Sequence, residues 1–179
     1  MKRFICILAF LALSVAAFGQ GSLLKQTLEI VELEINDGEV EISVFDMPEG
    51  DVHQYFFCAG TLGIGDDFIQ FNIDPVSNLF IPLGGTLAEA EAKMEEIRGV
   101  ANMASGDGIE TVGILAVGNP STGEEEPVYL TARRFLFQKN VTFTVKRNGY
   151  VRSTNLSRSD LGAMVNGIKS YRKIHPNEP

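Results

Sequence analysis

The residues able to do chemistry in this chain are few, and their spacing excludes more than it offers. Only two histidines are present, His53 and His175. A zinc protease needs a pair in an H-E-x-x-H pattern, and a serine hydrolase of the G-x-S-x-G type needs its elbow; the chain has neither. His53 stands beside Gln54 and Tyr55 at the start of a strand pattern, which reads as a surface strand end. His175 lies in a polar tail next to Pro176, which reads as an exposed and idle ring. Cys58 sits in Phe56-Phe57-Cys58-Ala59, where burial disfavours the thiolate and leaves an inert thiol. In an oxidising compartment it could still pair with a second chain. Nucleophilic acyl transfer is disfavoured.

The carboxylates and glycines offer little more. Gly60-Thr61-Leu62-Gly63-Ile64-Gly65 is followed by Asp66 and Asp67 rather than Lys and Ser or Thr, so these acids would repel a phosphate and the stretch reads as a turn. Asp66 with Asp67, or Asp107 with Glu110, lack the alternating spacing of a calcium loop. Glu34 and Glu41 are expected opposite each other on a hairpin, with Cβ atoms about 4.5–5.5 Å apart. That is the spacing of a retaining glycosidase pair, about 5–5.5 Å between carboxyls. Such an enzyme also needs a cleft and a sugar platform, and the chain has no Trp. Glu32, Glu34 and Glu41 therefore read as a solvated strand face. No metal or cofactor is expected.

Charge is distributed unevenly. Residues 20–130 hold 21 acidic and three basic side chains, a net −18, whereas residues 131–179 hold two acidic and ten basic ones, a net +8. The expectation is that Arg133, Lys146 and Arg152 reach the acidic hairpin face. Should they stand apart from carboxylates, they become the candidate site for an anionic small molecule or glycan. A nucleic-acid partner is not expected, because the chain is acidic and carries no aromatic platform beside its cations.

These residues must be placed by elements that the hydrophobic pattern outlines. Lys2 and Arg3, the apolar run from residue 4 to 15 and the small-x-small site Ala17-Phe18-Gly19 form an expected signal peptide over residues 1–19. The mature chain, residues 20–179, is then read as one exported domain, periplasmic or extracellular, with no later span. About 160 residues suffice for a core without disulfides.

Leu28 to Asp46 alternates around Asp37-Gly38, a hairpin signal that puts Val31, Leu33 and Ile35 opposite Val44, Ile42 and Val40. A bulge, or cover on both faces, is needed for Leu28 and Ile30. Strands are expected over residues 52–62 and 67–73, the second ended by Asp74-Pro75. Residues 79–83 are expected at an edge or in a non-strand segment because of Pro82. Residues 109–117, apolar on both faces, read as a central strand, and residues 128–138 as one long strand. Residues 141–146 and 150–154 should pair across Asn148-Gly149. Thr86-Leu87-Ala88-Glu89 is a capping box opening a helix over about 87–104, and Ser157-Arg158-Ser159-Asp160 opens a second over about 158–172. Strands joined by tight turns and two amphipathic helices predict an α+β fold with a largely antiparallel sheet of about 7–9 strands.

The missing motifs point to a non-enzymatic binding or interaction module of the cell envelope. An envelope hydrolase using the carboxylate pair and a subunit of a larger surface assembly are the alternatives.

Overall fold

The computed structural model describes residues 28–35, 40–65, 73–103, 110–118, 125–147 and 150–179. The signal peptide, the turn tips at 36–39 and 148–149, residues 67–72 of the strand expected over 67–73, and Asp66, Asp67 and Asp107 lie outside the described residues.

The first hairpin follows its alternation. β1 (Leu28–Ile35) pairs with β2 (Val40–Asp46) in the expected register, with Val31, Leu33 and Ile35 opposite Val44, Ile42 and Val40, and Glu34 opposite Glu41. A register shift between Glu29 and Val31 resolves the conflict at the far end. β3 (Tyr55–Gly65) pairs with β4 (Ile73–Gly84) along one edge. Along its other edge it pairs first with β2, through residues 55–59, and then with β8, through residues 62–65.

The second group is β5 (Glu110–Gly118), β6 (Glu125–Phe135), β7 (Gln138–Arg147) and β8 (Tyr150–Ser157), each paired antiparallel with the next. The fold is α+β and rich in antiparallel strands, with two helices, α1 (Leu87–Val100) and α2 (Arg158–Ile174). Both helices begin with the capping boxes legible in the sequence, Thr86 with Glu89 and Ser157 with Asp160. Among the described residues no helix is long and apolar enough to cross a membrane.

The helices bury their apolar stripes. Leu87, Ala90, Met94 and Ile97 of α1 and Leu161, Met164, Val165 and Ile168 of α2 join Ile42, Val44, Phe57, Leu79, Val141, Phe143 and Leu156 in one core. Each such side chain is worth about 1.5–3 kcal/mol. α2 lies so close to β1 that a Cβ built on Gly167 would stand 2.5 Å from Val31 Cγ2, a separation only glycine permits.

Several expectations are corrected, among them the turn read over residues 60–65, which is the second half of β3. Asp74-Pro75 does not end a strand: β4 runs through Pro75 and Pro82, and its ladder is to β3 alone among the described residues, so the missing N–H groups need no partner. Among the described residues β5 pairs with β6 alone, at the end of the pairing order rather than in its middle, because an apolar run does not report pairing at a strand's edges. The strand expected over 128–138 is broken at Leu136 and Phe137, a two-residue turn made without Gly, Asn or Pro. α1 stops at Val100 and continues as a 3₁₀ turn, Ala101–Met103, whereas α2 runs two residues beyond the expected end.

Candidate anion-binding site

The unexpected turn builds the site. Phe135 pairs with Gln138, leaving Leu136 and Phe137 as the loop. Leu136 has φ 53°, the left-handed position that glycine occupies in a hairpin turn with positive φ at its first central residue. Both loop side chains face water, Leu136 at 74% and Phe137 at 94% exposure. Next to them the β6–β7 ladder sets Arg134 opposite Lys139 and Arg133 opposite Asn140, and Asn140 is in turn opposite Ser157 of β8. Ser157 caps α2, so the ladder brings the first turn of α2 beside the hairpin tip.

Between tip and helix lies a cavity of about 310 Å³ lined by Phe137, Gln138, Lys139, Ser157, Arg158 and Ser159. Four cations collect at this end: Arg133, Arg134, Lys139 and Arg158. Among the described residues none of them pairs with a carboxylate. Arg134 Nε donates to the Leu136 carbonyl at 3.3 Å. The acid beside them, Asp160, is engaged by α2: its Oδ2 accepts from Ser157 N at 3.0 Å and from Ser157 Oγ at 2.6 Å. The helix N-terminus adds partial positive charge. Lysine, arginine, hydroxyl and amide donors around a small cavity can hold a carboxylate, sulfate or phosphate by charge-assisted hydrogen bonds.

The three cations singled out in the sequence are not brought together. Arg133 stands exposed at the basic end. Lys146 is exposed on the same strand face as Asn140 but six residues further along β7, about 20 Å at ~3.3 Å per residue. Arg152 is opposite Val145 and therefore points to the core side, buried and engaged with its neighbours. Lys139 and Arg158, the two cations that line the cavity, were missed, because their proximity depends on the Leu136-Phe137 turn.

No ion pair joins Arg133 or Lys146 to the acidic hairpin among the described residues. Acidic and basic halves of the chain meet instead between the helices: Arg172 bonds Glu91 at 3.0 Å, and Lys169 reaches Glu95 at 3.2 Å and Glu91 at 3.8 Å. Burial raises the Glu95 pKa, but hydrogen bonds from Lys169 and Arg98 outweigh it and lower the carboxyl below its ordinary value. On the β1–β2 hairpin the acids face one another. Burial, then the charge of neighbouring glutamates, raises the pKa of Glu29 and of Glu41. Glu32, Glu34 and Glu41 stand exposed on this strand face rather than in a cleft.

A second polar cluster surrounds His53. Its Nδ1 bonds Asp46 Oδ2 at 2.5 Å, and Asp46, only 1% exposed, also accepts from the Gln54 N–H at 3.0 Å. His53 is thus anchored rather than a plain surface residue. The signal was available, since the alternation that turns Ile42 and Val44 inward turns Asp46 inward too. His175 is not idle: its ring stacks on Tyr171 at 4.2 Å, and Nδ1 lies 3.4 Å from Glu178 Oε1. The same tail brings the Pro179 carbonyl to the Leu87 N–H at 2.8 Å and the Tyr55 hydroxyl at 3.2 Å. Desolvation, then the charges of Asp46 and Glu178, raises the Tyr55 phenol. These contacts tie the end of the chain to the start of α1. Among the described residues no group of three or more His, Cys, Asp or Glu side chains is placed to hold a metal ion. No family model, curated protein or solved structure matches the chain.

Proposed function

We propose that this chain is an exported, non-enzymatic binding module that recognises anionic groups, such as the carboxylates or sulfates of a glycan, at the basic end of β6, β7 and α2. The observation that carries the reading is a 310 Å³ cavity lined by Lys139 and Arg158, with Arg134 and Arg133 at the same end of β6 and, among the described residues, no carboxylate paired with any of the four. The leader pattern supports export. We also read residues 20–179 as one domain whose two strand groups form a single bent sheet, on the strength of the four β3–β8 pairs.

The test is calorimetric titration of the full chain with a sulfated oligosaccharide. Binding is expected to weaken with salt and to be lost in the double variant Lys139→Glu, Arg158→Glu. Unchanged binding in that variant would overturn the reading, as would failure of the natural chain to bind any anionic oligosaccharide at low salt.

A further inference from the structure

We propose that the β6–β7 tip docks the chain on an anionic lipid surface, with Leu136 and Phe137 entering the bilayer interface and the four cations meeting the headgroups. The inference rests on the anion-binding reading above and assigns the anion to a lipid.

Three observations converge on the same few residues. Phe137 and Leu136 are the two most exposed large apolar side chains among the described residues, and they are adjacent. Val52, Met103 and Ile174, the next most exposed, lie apart from one another in the chain. A cavity that only held a small anion would gain nothing from a phenyl ring left 94% in water.

The turn itself is the second observation. Hairpins of this length use Gly where the chain needs positive φ, because a side chain there is strained. Here Leu136 occupies that position at φ 53°. The fold thus tolerates strain where it displays two adjacent apolar side chains.

Third, the cations form a collar. Arg134 and Lys139 flank the loop as a cross-strand pair, Arg133 follows on β6, and Arg158 faces the loop across the cavity. An apolar tip flanked by cations that, among the described residues, pair with no carboxylate matches an interface whose outer layer is anionic and whose inner layer is hydrocarbon. Each cation near such a surface is worth about fivefold in partitioning, and burial of the Phe137 ring about tenfold or more. Neither alone holds a protein on a membrane; together they give reversible docking. The acidic side chains Glu32, Glu34 and Glu41 belong to a different hairpin, β1–β2, and among the described residues none of them forms an ion pair with the four cations.

The chain has no Trp, so Phe137→Trp in the full chain is a single reporter at the tip. With vesicles of phosphatidylglycerol and phosphatidylcholine its emission is expected to shift to the blue at low salt. It should revert at high salt and stay unshifted with phosphatidylcholine alone. Leu136→Gly, which relieves the strained turn and so keeps the fold, should lower partitioning onto the anionic vesicles severalfold, and Phe137→Ser about tenfold. No shift with anionic vesicles, or equal partitioning of both loop variants, would overturn the proposal. So would a shift with soluble polyglutamate and none with vesicles, which would identify an acidic protein as the partner. If sulfated oligosaccharide still bound while the vesicles did not, the lipid assignment alone would fall; if neither bound, the anion-binding reading would fall with it.

Discussion

Gly99 and Gly167 are both helical glycines, and replacing each with Ala should shift stability in opposite directions. In α1, a Cβ on Gly99 would meet nothing within 4 Å. Ala there gains helix propensity, about 0.5–1 kcal/mol. In α2, a Cβ on Gly167 would lie 2.5 Å from Val31 Cγ2, 2.8 Å from Val31 Cβ and 3.2 Å from Val31 Cγ1. Optimal carbon contacts are about 3.5–4.0 Å, so α2 and β1 must separate by roughly an ångström. Rotating Val31 does not help, because its Cβ is fixed to the strand backbone. The separation also loosens Leu161, Met164, Val165 and Ile168, all fully buried. Overpacking of this kind costs about 1–3 kcal/mol. Set against the same propensity gain, Gly167→Ala should lose about 0–2 kcal/mol, and the two variants should differ by about 1–3 kcal/mol. Urea unfolding followed by far-UV circular dichroism measures both. A Gly167→Ala variant stabilised as much as Gly99→Ala would refute the claim that α2 is seated on β1 at this glycine.

Further predictions concern charge and reactivity. Burial and neighbouring carboxylates raise Glu29 and Glu41 above the ordinary glutamate value of 4.5, so the folded state holds their protons more tightly than the unfolded state does. Their strain should be relieved as pH falls through the folded values and fully felt above them; Glu41→Gln should raise stability at neutral pH by about 0–1 kcal/mol and flatten this dependence in a pH series of melts. Glu91→Gln removes the carboxylate shared by Lys169 and Arg172. It should cost about 0–1 kcal/mol and reduce the loss of stability on adding salt, measured by melts at two salt concentrations. Cys58, its pKa pushed up to about 12 chiefly by burial, should react with a thiol reagent at neutral pH only on unfolding. Native-state labelling as fast as that in urea would contradict this.

The sequence made the regular elements legible, because a hydrophobic period and a turn residue spoke together. The β1–β2 register followed from alternation about Asp37-Gly38, and both helix starts from their capping boxes. The hairpin at Leu136-Phe137 was illegible, since an apolar pair in a run of strand formers carries no turn chemistry. With it went the site, because only that reversal sets Lys139 beside Arg134 and across from Arg158. The charge split was legible in magnitude but not in place. Residue counts cannot say that Glu91 and Glu95 of one helix face Lys169 and Arg172 of the other. Arg152 looked like a surface cation because residue type was read without its alternation, which sets it opposite buried Val145.

The central claim, that anionic groups are recognised at the basic end of β6, β7 and α2, is tested most directly by mapping backbone amide shifts in the full chain. A sulfated oligosaccharide would be titrated at low salt. The account predicts progressive, saturable shifts confined to residues 133–140 and 157–160. Shifts centred on Asp46, His53 and Tyr55, or none at any concentration, would contradict it.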